Sequence, residues 1–185
     1  MINTNTNIST NTQSLTLPFS QNWEVTKGQT LQWRQPKRFR REYQLHSQDH
    51  TWGTMLFDEN HFITRATAIT AEKEWNFKYT RFSLPKVTVQ KKNDLVAQAI
   101  IETNWGWCGT LILADGRRYT WKSTDHTENE FRFLTSNEFP VMYFRPRVRL
   151  FKIEAEVEID PTVLHNPHLP LLTMLGWFLV LLRLC

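Results

Sequence analysis

Residues 169–185 read LPLLTMLGWFLVLLRLC, a run that is apolar on every helical face and closes a chain whose remainder alternates like β-structure. A helix without a polar side has to lie inside a protein core or inside a bilayer. From Leu169 to Leu184 the run is 16 residues long, or about 24 Å at helical rise, against roughly 30 Å for a hydrocarbon core. Thr173 and Gly176 interrupt it, and Arg183 stands at its end, able to snorkel to an interface or to reach out of a barrel mouth. The length favours burial in a protein core, with a C-terminal tail anchor in a bilayer as the alternative. Asn166 and Pro167 mark the start of a helix predicted over about 168–184. Gly176 lets another backbone come close, as a helix threaded through a narrow barrel requires as much as a packed membrane helix does.

Working back from that helix, period-two alternation recurs from about Leu31 to Ile159, with turn residues every eight to twelve positions. Trp75, Phe77 and Tyr79 alternate with Glu74, Asn76 and Lys78, and Val87 and Val89 with Lys86, Thr88 and Gln90. Lys92-Asn93-Asp94 then turns the chain into Leu95, Ala97, Ala99 and Ile101. Asp115-Gly116, between an apolar run ending at Ala114 and a strand beginning at Arg117, predicts a hairpin on a tight type I′ turn. Other strands are expected over 42–46, 52–57, 62–70, 130–134 and 139–144. Near Leu150 and Phe151 the apolar positions change from even to odd, which a β-bulge within one long final strand would explain. Beyond it Glu154, Glu156 and Glu158 form a solvated outer face.

About twelve strands and one apolar helix explain each other. Side chains alone fill a barrel of roughly eight strands, so a wider one needs stuffing, and small inward residues such as Ala66, Ala68, Ala97 and Ala99 give a helix clearance. The predicted fold is therefore mainly β: a closed barrel of about twelve strands around a central hydrophobic C-terminal helix. Residues 26–185 are its single domain, ample for a core at 41% hydrophobic content. Residues 1–25 form an Asn/Thr-rich tail whose first sixteen positions hold no charge and cannot repay their ordering entropy.

This order of elements resembles the superfamily of tubby C-terminal domains and phospholipid scramblases. The residues that carry the resemblance are Leu31-Gln32-Trp33, Leu113-Ala114-Asp115-Gly116 with Tyr119 and Trp121, and the stretch from Leu171 to Leu182. It implies a twelve-stranded barrel around a C-terminal helix and, by similarity to tubby domains, contact with anionic lipid headgroups through basic residues. The acidic calcium segment and cysteine cluster of scramblase-like members have no counterpart in this chain, which argues against calcium-triggered scrambling.

Net charge is +4, and one segment concentrates it: Arg34, Lys37, Arg38, Arg40 and Arg41 fall within eight residues free of acid, with Phe39 among them. Cations near an anionic membrane are worth on the order of 1 kcal/mol each, so these five are the candidate site for anionic lipid. A solvated loop is the plain alternative, and nucleic acid the disfavoured anionic partner, since base-stacking aromatics are not evident elsewhere. Arg145, Arg147, Arg149 and Lys152 form a looser second group. His165 and His168 lack the further ligands a metal site needs. Asp125-His126 with Glu128 and Glu130 reads as polar loop, and Trp105-Gly106-Trp107 as an aromatic cap on a barrel end. No phosphate loop, nucleophile elbow or cysteine-protease pattern surrounds Cys108. Cys108 and Cys185 give no disulfide framework. No secretory signal precedes the barrel, so a cytoplasmic protein, peripheral at the membrane, is expected. The expectation is thus a non-enzymatic, cofactor-free binder of anionic lipid. The tail-anchored membrane protein and a small-ligand carrier or enzyme using space beside the helix are the rival readings.

Overall fold

The structure is a computed structural model that describes residues 30–37, 40–48, 50–58, 64–81, 84–104, 108–124, 129–150 and 152–184. The tail predicted over 1–25 and the Trp105-Gly106-Trp107 cap lie outside them, as do Asp125, His126 and Glu128. Twelve strands follow the alternation read from the sequence: β1 (Leu31–Arg34), β2 (Glu42–Ser47), β3 (His50–Phe57), β4 (Arg65–Thr70), β5 (Glu74–Thr80) and β6 (Lys86–Lys91). They continue with β7 (Ala97–Thr103), β8 (Gly109–Leu113), β9 (Arg118–Ser123), β10 (Phe131–Thr135), β11 (Pro140–Arg149) and β12 (Lys152–Ile159). Each strand pairs antiparallel with its neighbours in sequence, and β1 closes the barrel on β12 through Leu31↔Val157 and Trp33↔Ala155. Closure gives every strand a hydrogen-bonded neighbour on both sides.

The helix α1 (Leu169–Leu184) fills the interior, and its residues 171–181 are all buried. Its one buried hydroxyl, on Thr173, donates to the Leu169 carbonyl at 2.8 Å, so the polar group needs no partner from the wall. Trp177 stacks on Trp33 at 5.5 Å and meets Tyr43 edge-on at 5.4 Å, while Phe178 sits between Phe57 (5.7 Å) and Phe77 (5.3 Å). Two glycines make room: a Cβ on Gly53 would collide with the Met174 methyl, and one on Gly176 would enter the Phe144 ring. Ala66, Ala68 and Ala99 are buried as expected, whereas Ala97 is only half-buried, at a register shift opposite Gln90.

Three local expectations are corrected. The Asp115-Gly116 hairpin does not use a type I′ turn, because only Gly116 has positive φ (84°). The Gly116 amide donates to the Leu113 carbonyl and the Leu113 amide to the Arg117 carbonyl, both at 2.9 Å. That is a three-residue loop ending in a left-handed glycine, which needs one positive φ rather than two. Leu95 lies outside β7 and is 94% exposed. The phase change at Leu150 and Phe151 is not a bulge in one strand but the tip of the β11–β12 hairpin, with Arg149 opposite Lys152 and Val148 opposite Ile153. The paired numbers sum to an odd value, so one face is even-numbered on β11 and odd-numbered on β12, as a bulge would also have made it.

Polar contacts position the helix where it enters. Asn166 donates through Nδ2 to the Tyr119 hydroxyl (2.9 Å) and accepts the His168 amide on Oδ1 (3.0 Å). His168 Nε2 meets Asp115 Oδ2 at 2.9 Å. The helix thus starts at the rim holding the β8–β9 turn and ends at the opposite one, where Arg183 is exposed. Among the described residues, no helix is long and apolar enough to cross a membrane.

Candidate anionic-surface site at the exit rim

Up-and-down order puts the β1–β2, β3–β4, β5–β6, β7–β8, β9–β10 and β11–β12 connections at the rim where the helix ends. The β1–β2 connection is pinned to the wall. Buried Gln35 donates through Nε2 to the Arg40 carbonyl (2.8 Å), the Arg40 amide to the Lys37 carbonyl (3.4 Å), and the Phe57 amide to the Arg41 carbonyl (2.9 Å). These bonds hold residues 35–37 and 40–41 to one another and to the wall and leave the Lys37 and Arg40 side chains exposed.

Of the five candidate cations, Lys37, Arg40 and Arg41 lie in this connection; Arg38 lies outside the described residues. Arg34 is set apart at the end of β1, where Nη2 donates to Gln32 Oε1 at 2.6 Å. It lines an outer-wall groove of about 110 Å³ with Arg147, Arg149, Glu154 and Glu156, a surface of mixed sign. There Arg147 pairs with Glu156 at 3.2 Å.

Topology adds cations that the contiguous run could not reveal. Strand order β11-β12-β1-β2 sets the β11–β12 tip beside the β1–β2 loop, bringing Arg149 and Lys152 next to Lys37 and Arg40. Arg81, after β5, and Arg183, at the helix end, are exposed at the same rim. The acids in its described connections are Asp58 and Glu130, and Glu130 is already engaged, 2.6 Å from Arg145 Nε. Arg145 also reaches Glu158 at 2.7 Å and lies over the Tyr143 ring at 5.6 Å. The hydrogen bonds it donates to Glu158 and then to Glu130 hold its guanidinium above the ordinary arginine range. It is a cross-strand clamp, not a ligand group. Among the described residues, Lys37, Arg40, Arg149 and Lys152 have no ion pair.

Other places have different chemistry. A groove of about 650 Å³ crosses the outer wall of β3–β6, with Leu56, Ile69 and Thr67 between Arg65, Lys78 and Glu74. His46, on the outer wall of β2, has its pKa lowered by burial and then by the charge of Arg34. Among the described residues, no group of three His, Cys, Asp or Glu side chains is placed to hold a metal ion. No family model matches this chain, and neither the curated proteins nor the solved structures include a match to it.

Proposed function

We propose that this protein is a non-enzymatic, peripheral binder of anionic lipid headgroups that docks end-on through its exit rim. The observation that carries the reading is the charge of that rim among the described residues: Lys37, Arg40, Arg149 and Lys152 have no ion pair there and lie on adjacent connections, with Arg41 in the same loop and Arg183 at the helix end. Four such cations are worth about 4 kcal/mol against an anionic membrane at roughly 1 kcal/mol each, decaying within a Debye length of about 8 Å. Binding of that kind is fast, tolerant of headgroup identity and weakened by salt. Kinship with tubby-like proteins belongs to the same proposal, supported by strand number, strand order and the helix inside the barrel. With the apolar helix occupying the core, the proposed attachment rests on the surface.

Flotation with phosphatidylcholine vesicles, with and without phosphatidylserine, tests the reading. The protein should float only with the anionic vesicles and be released by high salt. Lys37→Glu with Arg40→Glu should abolish flotation without lowering the melting temperature, because neither side chain supports the fold. Equal flotation on both vesicle types, or none on either, removes the proposal.

A further inference from the structure

The β11–β12 hairpin is longer than the barrel needs. Its last rung with β10 is Phe144 opposite Phe131, so β11 runs five residues further to Arg149, about 17 Å at strand rise. On the other side, β1 pairs no further than Ala155, three residues short of Lys152, or about 10 Å. A two-stranded ribbon therefore stands beyond the ladders on both flanks.

Side-chain alternation makes that ribbon amphipathic. Met142 and Phe144 point into the core and are fully buried, and the same face continues through Pro146, Val148 and Leu150. Beyond Pro146 this inward row finds no packing partner in the buried core among the described residues, and exposure rises to 65% at Val148 and 78% at Leu150. The opposite face carries Arg145, Arg147 and Arg149. Leu150 also has φ of 42°, in the left-handed region that an L-residue with a branched side chain occupies only at a cost. Asn or Gly would sit there unstrained, and within the protein Leu150 buries nothing in return. Strain held at an exposed apolar tip points to a use outside the fold.

The flanking charge says which surface fits. Arg149 and Lys152, beside the tip, have no ion pair among the described residues, and the adjacent loop adds Lys37 and Arg40. Of the other strongly exposed apolar side chains, Leu84 follows Arg81 at this same rim, whereas Leu95, Val96 and Phe139 lie at the opposite rim among Lys92, Asp94 and Glu138, where no single sign prevails. An apolar tip ringed by cations complements the layered chemistry of an anionic bilayer, with phosphates outside and acyl chains beneath, a boundary that apolar groups enter by about 5–10 Å. We infer that the β11–β12 ribbon inserts Val148 and Leu150 into the interface of an anionic bilayer, while Arg149 and Lys152 hold the headgroup phosphates. This rests on the lipid-binding reading and gives it a depth and an orientation.

The test uses the full chain with vesicles of phosphatidylcholine containing about a third phosphatidylserine, and the variant Val148→Thr with Leu150→Asn. Asparagine suits the left-handed turn and threonine suits a strand, so the melting temperature should hold or rise. Partitioning should fall about tenfold or more, and the variant should leave the vesicles at a lower salt concentration than the native protein. Unchanged partitioning, with Lys37→Glu/Arg40→Glu still abolishing binding, would overturn insertion while leaving electrostatic docking in place. Absence of vesicle binding by the native protein would overturn both. A concentration-dependent dimer that the apolar variant dissolves, with vesicle binding untouched, would reassign the ribbon to a second copy of the chain and overturn the inference.

Discussion

Gly176→Ala tests whether the helix is the filling of the barrel, because its sign depends on what surrounds the helix. In an unpacked helix the change raises stability by about 1 kcal/mol, the propensity difference between the two residues. Here the new methyl would lie 2.5 Å from Phe144 Cε2 and 3.0 Å from Cε1, whereas ordinary carbon contact is about 3.5 Å or more. Phe144 Cζ is closer still, so the ring must retreat by more than about 1 Å to reach that separation. It has nowhere to go: Phe144 is fully buried, edge-on to Trp121 at 5.6 Å and to Phe133 at 6.4 Å. Overpacking costs about 1–3 kcal/mol, and a ring wedged by two others belongs at the upper end. After the propensity gain the net loss is about 2 kcal/mol, or roughly 4–8 °C in melting temperature for a domain of this size. Urea denaturation with a double-mutant cycle reads it. Phe144→Leu alone should cost about 1–2 kcal/mol, and combined with Gly176→Ala it should cost less than the sum by at least about 1 kcal/mol. A stabilising Gly176→Ala, or strict additivity, would place the helix away from the wall and refute the packing.

Two further outcomes follow from local chemistry. Burial and the charge of Arg34 lower the pKa of His46 in the folded protein, so just below its ordinary 6.5 the unfolded chain binds the proton more readily and stability should rise with pH. Urea midpoints across pH 5–8 should show that slope in the native protein and lose it in His46→Gln; an unchanged slope would assign it elsewhere. The Asp115 carboxyl is held low, chiefly by the Arg117 amide and with help from His168. Its contribution is therefore complete above the ordinary 3.8 and lost only as pH falls through the depressed folded value, outside the His46 window. Gly116→Ala meets nothing within 4 Å but must adopt φ of 84°, so it should cost about 1–2 kcal/mol through the backbone alone. Gly116→Asn should recover part of that loss, and a costless alanine would contradict the left-handed turn.

The helix and the closed barrel were legible because each is written in periodicity. Every face of residues 169–184 is apolar, and the strands alternate with a clarity that survives a change of partner. What failed was local and had physical reasons. The phase change at Leu150 and Phe151 fits a bulge and a two-residue turn equally well, and the usual turn markers are missing because Leu150 takes a left-handed φ without being Gly, Asn or Asp. The run from Arg34 to Arg41 was visible as charge, but Arg34 turns onto the outer wall beside Glu154 while its neighbours stay at the rim. Arg149 and Lys152 join the site only through strand order, and Arg183 through the path of the helix, which no single segment encodes. Val148 and Leu150 share the parity of core residues, so only the length of β11 relative to β10 reveals that they outrun the core.

The two rims differ for a reason rooted in how the helix is installed. At the entrance, Asn166 on Tyr119 and His168 on Asp115 tie the chain to the β8–β9 hairpin, so polar groups there satisfy one another. At the exit the helix presents its carbonyl end, equivalent to roughly half a negative charge, and Arg183 in the last turn offsets it. The rim's surplus of positive charge therefore lies on the loops. Those loops are held at fixed positions by the closed sheet, and the ribbon extends past its own ladders to β10 and β1 along the strand direction. On the proposed lipid-binding reading, a planar anionic surface would meet the tip and the cations of the β1–β2 loop on one rim, with the barrel standing upright on the bilayer and its helix pointing toward the lipid.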